Sequence, residues 1–263
     1  MSAAPGTYAF DNDDPEATDR HRHLADMFDE VTTARLAALG DLSGRRCLEL
    51  GAGGGSIAAW LAARGAAVLA TDLNVRHLRG DAGYRVLRHD LVTEALPGGG
   101  WDLVHARFLL THLPQREEIL PRLAAALAPG GVLLLEEFAT GSYRDAVLAA
   151  PTVADKQAYD RYYAALIDTV LPALGNDPYW ALRVHAAMLE AGLTGVDTLV
   201  HARSWPGGTA GALLNAVNIA QQRAGLRAAG LGDADLDRVA ALMHDPRVVV
   251  RGHVVHSVLG RRP

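Results

Sequence analysis

The chain has 263 residues, 49% of them hydrophobic and 21% charged, with a formal net charge of −5 and a single cysteine. That is long enough to cover one sheet well, and one cysteine excludes an internal disulfide, a cysteine-rich zinc site and a two-cysteine catalytic pair. No apolar run approaches the ~18 residues of a spanning helix, MSAAPGTYAFDNDDPEATDR carries no apolar signal segment, and no long basic run announces a nucleic-acid surface; the expectation is a cytoplasmic protein with small ligands.

Residues 16 to 39 are predicted as a helix, because Leu24, Met27, Phe28, Val31 and Leu36 share a face and Asp11 to Asp14 supply caps. From Arg45 short apolar runs alternate with helical stretches, as in a parallel βαβ sheet. Strands are predicted at 45–52, 66–73, 84–91, 101–107 and 131–138, with helices at 56–64 and 114–128. Pro121 requires the second helix to kink or to start later than Pro114. The connections at 74–84 and 92–100 are short, leaving room for single turns. Beyond Phe138, helices are expected at 142–174 and 179–191, a sixth strand at 196–205, helical structure at 208–244 and a last strand at 248–260.

The sharpest local feature is CLELGAGGGS, an apolar strand entering Gly51, Gly53, Gly54 and Gly55 and then a helix. Such a turn allows positive φ, removes Cβ atoms and aims free helix N–H groups at one space. Tight strand-to-helix turns hold glycines for structural reasons too, and an isolated GxGxxG says little. Here the third glycine of a dinucleotide fingerprint would fall on Ser56. Glu49, inside the central strand, would repel a pyrophosphate but attract an ammonium or sulfonium. Asp72 ends the second strand about 20 residues past the first glycine, where an acid takes ribose hydroxyls. Asp90 ends the third, placed to accept from an adenine amino group. Each aspartate alone could cap a turn; three acids at the ends of three successive strands converge on one crevice.

LELGAGGGS, ATDLN, RHDL, WDLVHARFLLTHLP and LAPGGVLLLEEF, spread over residues 45 to 138, resemble the successive motifs of class I S-adenosylmethionine-dependent methyltransferases. YAFDNDDPEATDR, followed by a helical pair, is similar to the small-molecule methyltransferases of actinomycete specialised metabolism. The resemblance implies an α/β fold: a Rossmann-like, doubly wound, mostly parallel sheet of seven strands in order 3-2-1-4-5-7-6, the last antiparallel, with N-terminal helices and a helical lid. Residues 1–44 would form a cofactor and substrate cover, and 45–263 a core with lid insertions at 140–192 and 206–246. The implied cofactor is S-adenosyl-L-methionine. Gly51, Gly53 and Gly55 would pass beneath its methionine part and Glu49 would lie near its amino group. Asp72 would hold the ribose and Leu73 flank the adenine, while Asp90 would read the adenine amino group with Leu91 beside it. Ala106 would touch the cofactor through its backbone, and Tyr8 and Arg20 would close over the methionine end.

Methyl transfer to a hydroxyl needs an in-line approach and removal of a proton. Glu136, Glu137, Arg107 and His112 follow strands that end at this edge, and His112 and Glu136 are the catalytic candidates; His112 in LTHLP can equally pack its helix. Asn215, Asn218 and Gln222 recur at i, i+3, i+7, which fits either a solvated helix face or a pocket lining, and Tyr143, Tyr159, Tyr162, Tyr163, Trp180 and Trp205 make the lid segments aromatic. No NPPY-like motif or cysteine pair points to nucleic acid. His21 with His23 diverge on a helix and His253 with His256 on a strand, so no metal ligand set is expected. The expectation is methylation of an oxygen or nitrogen of a small-molecule specialised metabolite, with no nucleic acid or membrane partner and a homodimer left open. The alternative is a cyclase of the same fold that binds the cofactor without transferring its methyl group.

Overall fold

A computed structural model describes residues 10, 12–143 and 145–263 of the chain. In chain order these form α1 (Ala17–Ala37), β1 (Arg46–Leu50), α2 (Ser56–Ala62), β2 (Ala67–Asp72), β3 (Arg85–Arg88), β4 (Trp101–Arg107), α3 (Arg116–Ala126) and β5 (Leu127–Phe138). There follow β6 (Val147–Ala149), α4 (Val153–Ala165), a π-helical turn at Leu166–Val170, α5 (Leu171–Ala173), α6 (Val184–Glu190), β7 (Thr194–His201), β8 (Ser204–Pro206), α7 (Ala210–Ala228), α8 (Asp233–Leu242), β9 (Val249–Arg251) and β10 (Val255–Arg261). The 74–84 connection holds one 3-10 turn, Val75–His77. The helix predicted from Pro114 starts at Arg116 and carries Pro121 inside it.

Seven strands make one sheet in the order β3-β2-β1-β4-β5-β10-β7. β1, β2, β3, β4 and β5 pair in parallel, and β10 runs antiparallel to both of its neighbours. This is the α/β architecture and strand order expected of the fold. Alternation along the strands divides the side chains between two cores. Leu48, Leu50, Val104, Leu133, Leu135 and Val258 meet α3 and α6 residues on one face. Cys47, Leu103, Val132 and Leu134 meet Leu36 of α1 and Ile57 and Leu61 of α2 on the other. Cys47 is fully buried; burial, and then the charge of Glu49, push its thiol up to about 12.

The chain divides into two compact units. The sheet unit comprises residues 28–138, 180–201 and 255–263; the second comprises 1–27, 139–179 and 202–254. Residues 180–192, expected in a lid insertion, belong with the sheet: Trp180, Val184 and Met188 are buried in the same cluster as Leu133 and Val258. The second unit is helical around a three-stranded sheet in the order β6-β9-β8.

That small sheet accounts for three departures from the predicted elements. The helix expected from Ser142 begins only at Val153, because Pro151 disfavours helical backbone before it and Thr152 caps the helix, accepting from the Asp155 amide at 3.1 Å. The single strands predicted at 196–205 and 248–260 are each broken, so that β7 and β10 serve the large sheet while β8 and β9 serve the small one. Gly252 lies at the second break, and a Cβ there would come within 2.6 Å of the Trp205 indole nitrogen. No helix among the described residues is long and apolar enough to cross a membrane.

Candidate functional site

The turn after β1 is built on backbone conformations that side chains resist: Gly51, Gly53 and Gly55 all have positive φ, at 62°, 53° and 78°. A Cβ on Gly55 would collide with the Tyr84 hydroxyl, which itself accepts from the Arg79 amide at 3.1 Å. The turn is closed by β2. Asp72 Oδ2 accepts from the Gly53 amide at 2.9 Å and Oδ1 from the Asn74 amide at 3.0 Å. Burial outweighs these hydrogen bonds and raises the Asp72 pKa above its ordinary value.

Asp90 sits two residues past β3 and accepts from the Val92 amide at 2.9 Å and the Thr93 hydroxyl at 2.7 Å. Burial pushes its pKa up, but the Thr93 hydroxyl and the Val92 and Thr93 amides prevail and hold it below the ordinary value. Both aspartates therefore fasten turns. Leu73 is exposed. Leu91 is instead buried in the core with Leu110 and Leu120, so its side chain is committed to packing. Ala106 is buried in β4 opposite Leu50 and Leu135.

Glu49 and Glu136 belong to a buried polar chain whose centre the sequence reading missed. His105 of β4 stands in register with Glu49 of β1, and its Nδ1 lies 2.7 Å from Glu49 Oε2. Its Nε2 lies 3.5 Å from Glu136 Oε2, an ion-pair separation longer than a good hydrogen bond. Thr32 of α1 donates its hydroxyl to the same Glu136 oxygen. Arg107 donates to Thr32 Oγ1 at 3.0 Å and to Asp29 Oδ1 at 2.8 Å, and Ser56, the first residue of α2, donates to Asp29 at 3.1 Å. Burial alone would strip the proton from His105, but the two glutamates outweigh it and raise its pKa to about 9. Burial would raise the Glu136 pKa, yet His105, Arg107 and Thr32 hold it below its usual value. Strand alternation places Leu103, His105 and Arg107 on one face; pairing that face with Glu49 requires the register, which only the folded sheet supplies.

Glu137 points to the opposite face, fully buried, and accepts from the amides of Leu110 and Thr111 at 2.8 and 3.2 Å. Burial dominates and pushes its pKa up to about 8. His112 is buried in the 3-10 turn Leu110–His112 that Glu137 caps. Between them Phe108 adopts φ 56°, the one described non-glycine residue with positive φ, and stacks on Phe138 with ring centroids 3.8 Å apart. A bulky residue in this region is strained.

In the helical unit, Arg20 is buried over the Phe10 ring, 3.9 Å from its centroid, and its Nε has no hydrogen-bond partner among the described residues. Tyr8 lies outside the described residues. Asn215, Asn218 and Gln222 are all buried, which settles the open choice against a solvated face. Tyr159 donates to Asn215 Oδ1 at 3.0 Å, and Tyr163 stacks with His253. Burial, then Arg251 and Arg20, lower the His253 pKa to about 4. No three His, Cys, Asp or Glu side chains among the described residues are placed to hold a metal ion.

A doubly wound sheet with a glycine-rich turn after its central strand and acids ending the adjacent strands defines a Rossmann-like class. The chain belongs to the methyltransferase-domain family, whose profile matches residues 19–187. An uncharacterized methyltransferase of Mycobacterium tuberculosis is 35% identical over 118 residues, 43% of this chain and 60% of the relative. The demethylmenaquinone methyltransferase of Clavibacter sepedonicus is 28% identical over 58% of this chain and 60% of its own length. The chain thus spans about three fifths of these relatives. Among solved structures, phosphoethanolamine N-methyltransferase 2 of Haemonchus contortus, in complex with S-adenosyl-L-methionine, superposes with a TM-score of 0.58 at 14% identity, over 96% of this chain and 59% of that one. At that identity the likeness is one of fold.

Proposed function

We propose that the protein is an S-adenosyl-L-methionine-dependent methyltransferase acting on an oxygen or nitrogen of a small molecule. The observation that carries the reading is the set of acids around the glycine turn: Glu49, Asp72 and Asp90 at the ends of three successive parallel strands. They are acceptors and anions, suited to an ammonium, a ribose diol and an amino group, and unsuited to a pyrophosphate. When bound, the cofactor supplies a methyl group on a sulfonium, open to direct displacement.

Asp72, Asp90 and the backbone of Gly51, Gly53, Gly55 and Ala106 are assigned to binding, with Leu73 against the adenine. The Leu91 side chain is withdrawn from that set. Glu136 makes a poor base, because it is buried, accepts from Thr32 and has a lowered proton affinity. His112 keeps the role for a hydroxyl acceptor, and many amine acceptors need none. A specialised metabolite is the acceptor class we favour. The cyclase alternative is not favoured, since the matching family profile and the relatives cited are methyltransferases.

The test is transfer of isotopic label from methyl-labelled S-adenosyl-L-methionine into a small-molecule extract, read by mass spectrometry. Label in one metabolite establishes the activity and identifies its product. Cofactor binding without labelled product, in an extract that holds the pathway intermediates, moves the assignment to the cyclase.

A further inference from the structure

The buried polar chain begins at Glu49, two residues before the glycine turn, and ends at Ser56, the first residue after it. Between them it passes through His105 on β4, Glu136 on β5, Thr32 on α1, Arg107 on β4 and Asp29 on α1. The two flanks of the turn are therefore joined by side chains as well as by backbone. The two buried glutamates face His105 between them, while Asp29, with its side chain 31% exposed, pairs with Arg107. The only described side chain that engages the Glu49 carboxylate is His105, through Oε2. Burying a carboxylate this deeply is costly unless a cation or donors meet it.

We infer that His105 is a positioning residue for the cofactor: seated between Glu49 and Glu136, it holds the Glu49 carboxylate in place for the ammonium of the bound ligand. The inference rests on the proposed cofactor. It assigns to a histidine inside a core strand, which touches no ligand itself, control over the amino-acid half of that ligand and not over its nucleoside half. Loss of the imidazole removes the one described side chain that fixes the Glu49 carboxylate, which then turns freely and forfeits the charge-assisted hydrogen bond that an ammonium makes with a held carboxylate.

The experiment compares two probes by calorimetry: S-adenosylhomocysteine, which carries the ammonium, and 5′-methylthioadenosine, which has the nucleoside and lacks the amino-acid end. In His105→Gln the first is expected to bind about tenfold more weakly and the second within twofold of the parent protein, as for loss of one charge-assisted contact. Glu49→Gln should reproduce that split, and Glu49→Gln with His105→Gln should be no worse than Glu49→Gln alone, the non-additivity of two residues acting through one contact. The double variant removes both buried partners, so it keeps the test open if His105→Gln fails to fold. Equal weakening of both probes in the histidine variant, or additive losses in the double variant, overturns the inference. A parent protein that binds neither probe removes the cofactor assignment itself, and this inference with it.

Discussion

The backbone amide of Gly53 donates to Asp72 Oδ2 at 2.9 Å, so the acid that ends β2 also closes the turn that follows β1. A residue with both tasks couples the shape of the cradle to the group that would hold the ribose. Asp72→Ala is expected to weaken S-adenosylhomocysteine binding by ~1.5 to 3 kcal/mol, the range for losing a charged hydrogen-bond partner. Calorimetric titration of the folded variant checks this, and an unchanged affinity removes Asp72 from the site.

Gly55→Ala tests the turn from the backbone side. At φ 78° an L-residue carries a left-handed penalty of ~1 to 2 kcal/mol, and the new methyl group meets the Tyr84 hydroxyl. The variant should be less stable than the parent in urea denaturation by at least that free energy, and Gly55→Ala with Tyr84→Phe should recover part of it. An unshifted midpoint would show that the turn is not held in this conformation.

Glu137 makes stability depend on pH in a stated direction. Its carboxyl is raised from 4.5 to about 8 by burial in the folded chain. The folded state thus holds a proton that the unfolded state has released, and the associated stability is present in full below about 4.5 and lost as pH rises toward 8. Glu137→Gln removes the titration and keeps one of the two oxygens, the acceptor of the shorter bond from the Leu110 amide. Across pH 5 to 8 the stability difference, variant minus parent, should grow steadily; a constant difference would mean that Glu137 is ionised throughout.

The Tyr159 to Asn215 hydrogen bond, 3.0 Å long and buried, supports the helical unit. Asn215→Ala leaves the phenol hydroxyl without this acceptor and should cost ~1 to 3 kcal/mol in chemical denaturation. Adding Tyr159→Phe should then cost less than it does in the parent protein, since the two changes remove one interaction. Additive losses would indicate that the bond contributes little.

Strand pattern and spacing made the parallel half of the sheet legible, and β4 runs from Trp101 to Arg107 as predicted. The second unit was harder to read because its small sheet takes three residues apiece from β6, β8 and β9. Such runs are too short for a period of two to register, and β8 and β9 also adjoin strands of the other sheet in sequence. At the site, glycines and aspartates were visible because turn chemistry is local. His105 was not, because a histidine within an apolar strand reads as core until register sets it beside Glu49. Asn215, Asn218 and Gln222 show the same dependence on tertiary context: spacing placed them on one face, but only the folded chain reveals that the face is covered.

Cys47 gives the protein a practical property. Its thiol is fully buried in β1 with its ionisation pushed up to about 12, and thiolate is the form that reacts with alkylating and disulfide reagents. In the folded chain Cys47 is thus expected to react slowly with such reagents, so a cysteine introduced on the surface is labelled first, ready for a fluorophore or spin probe without removal of the native residue. Slow modification of Cys47 itself would then act as a clock, counting the openings of the central strand from its neighbours.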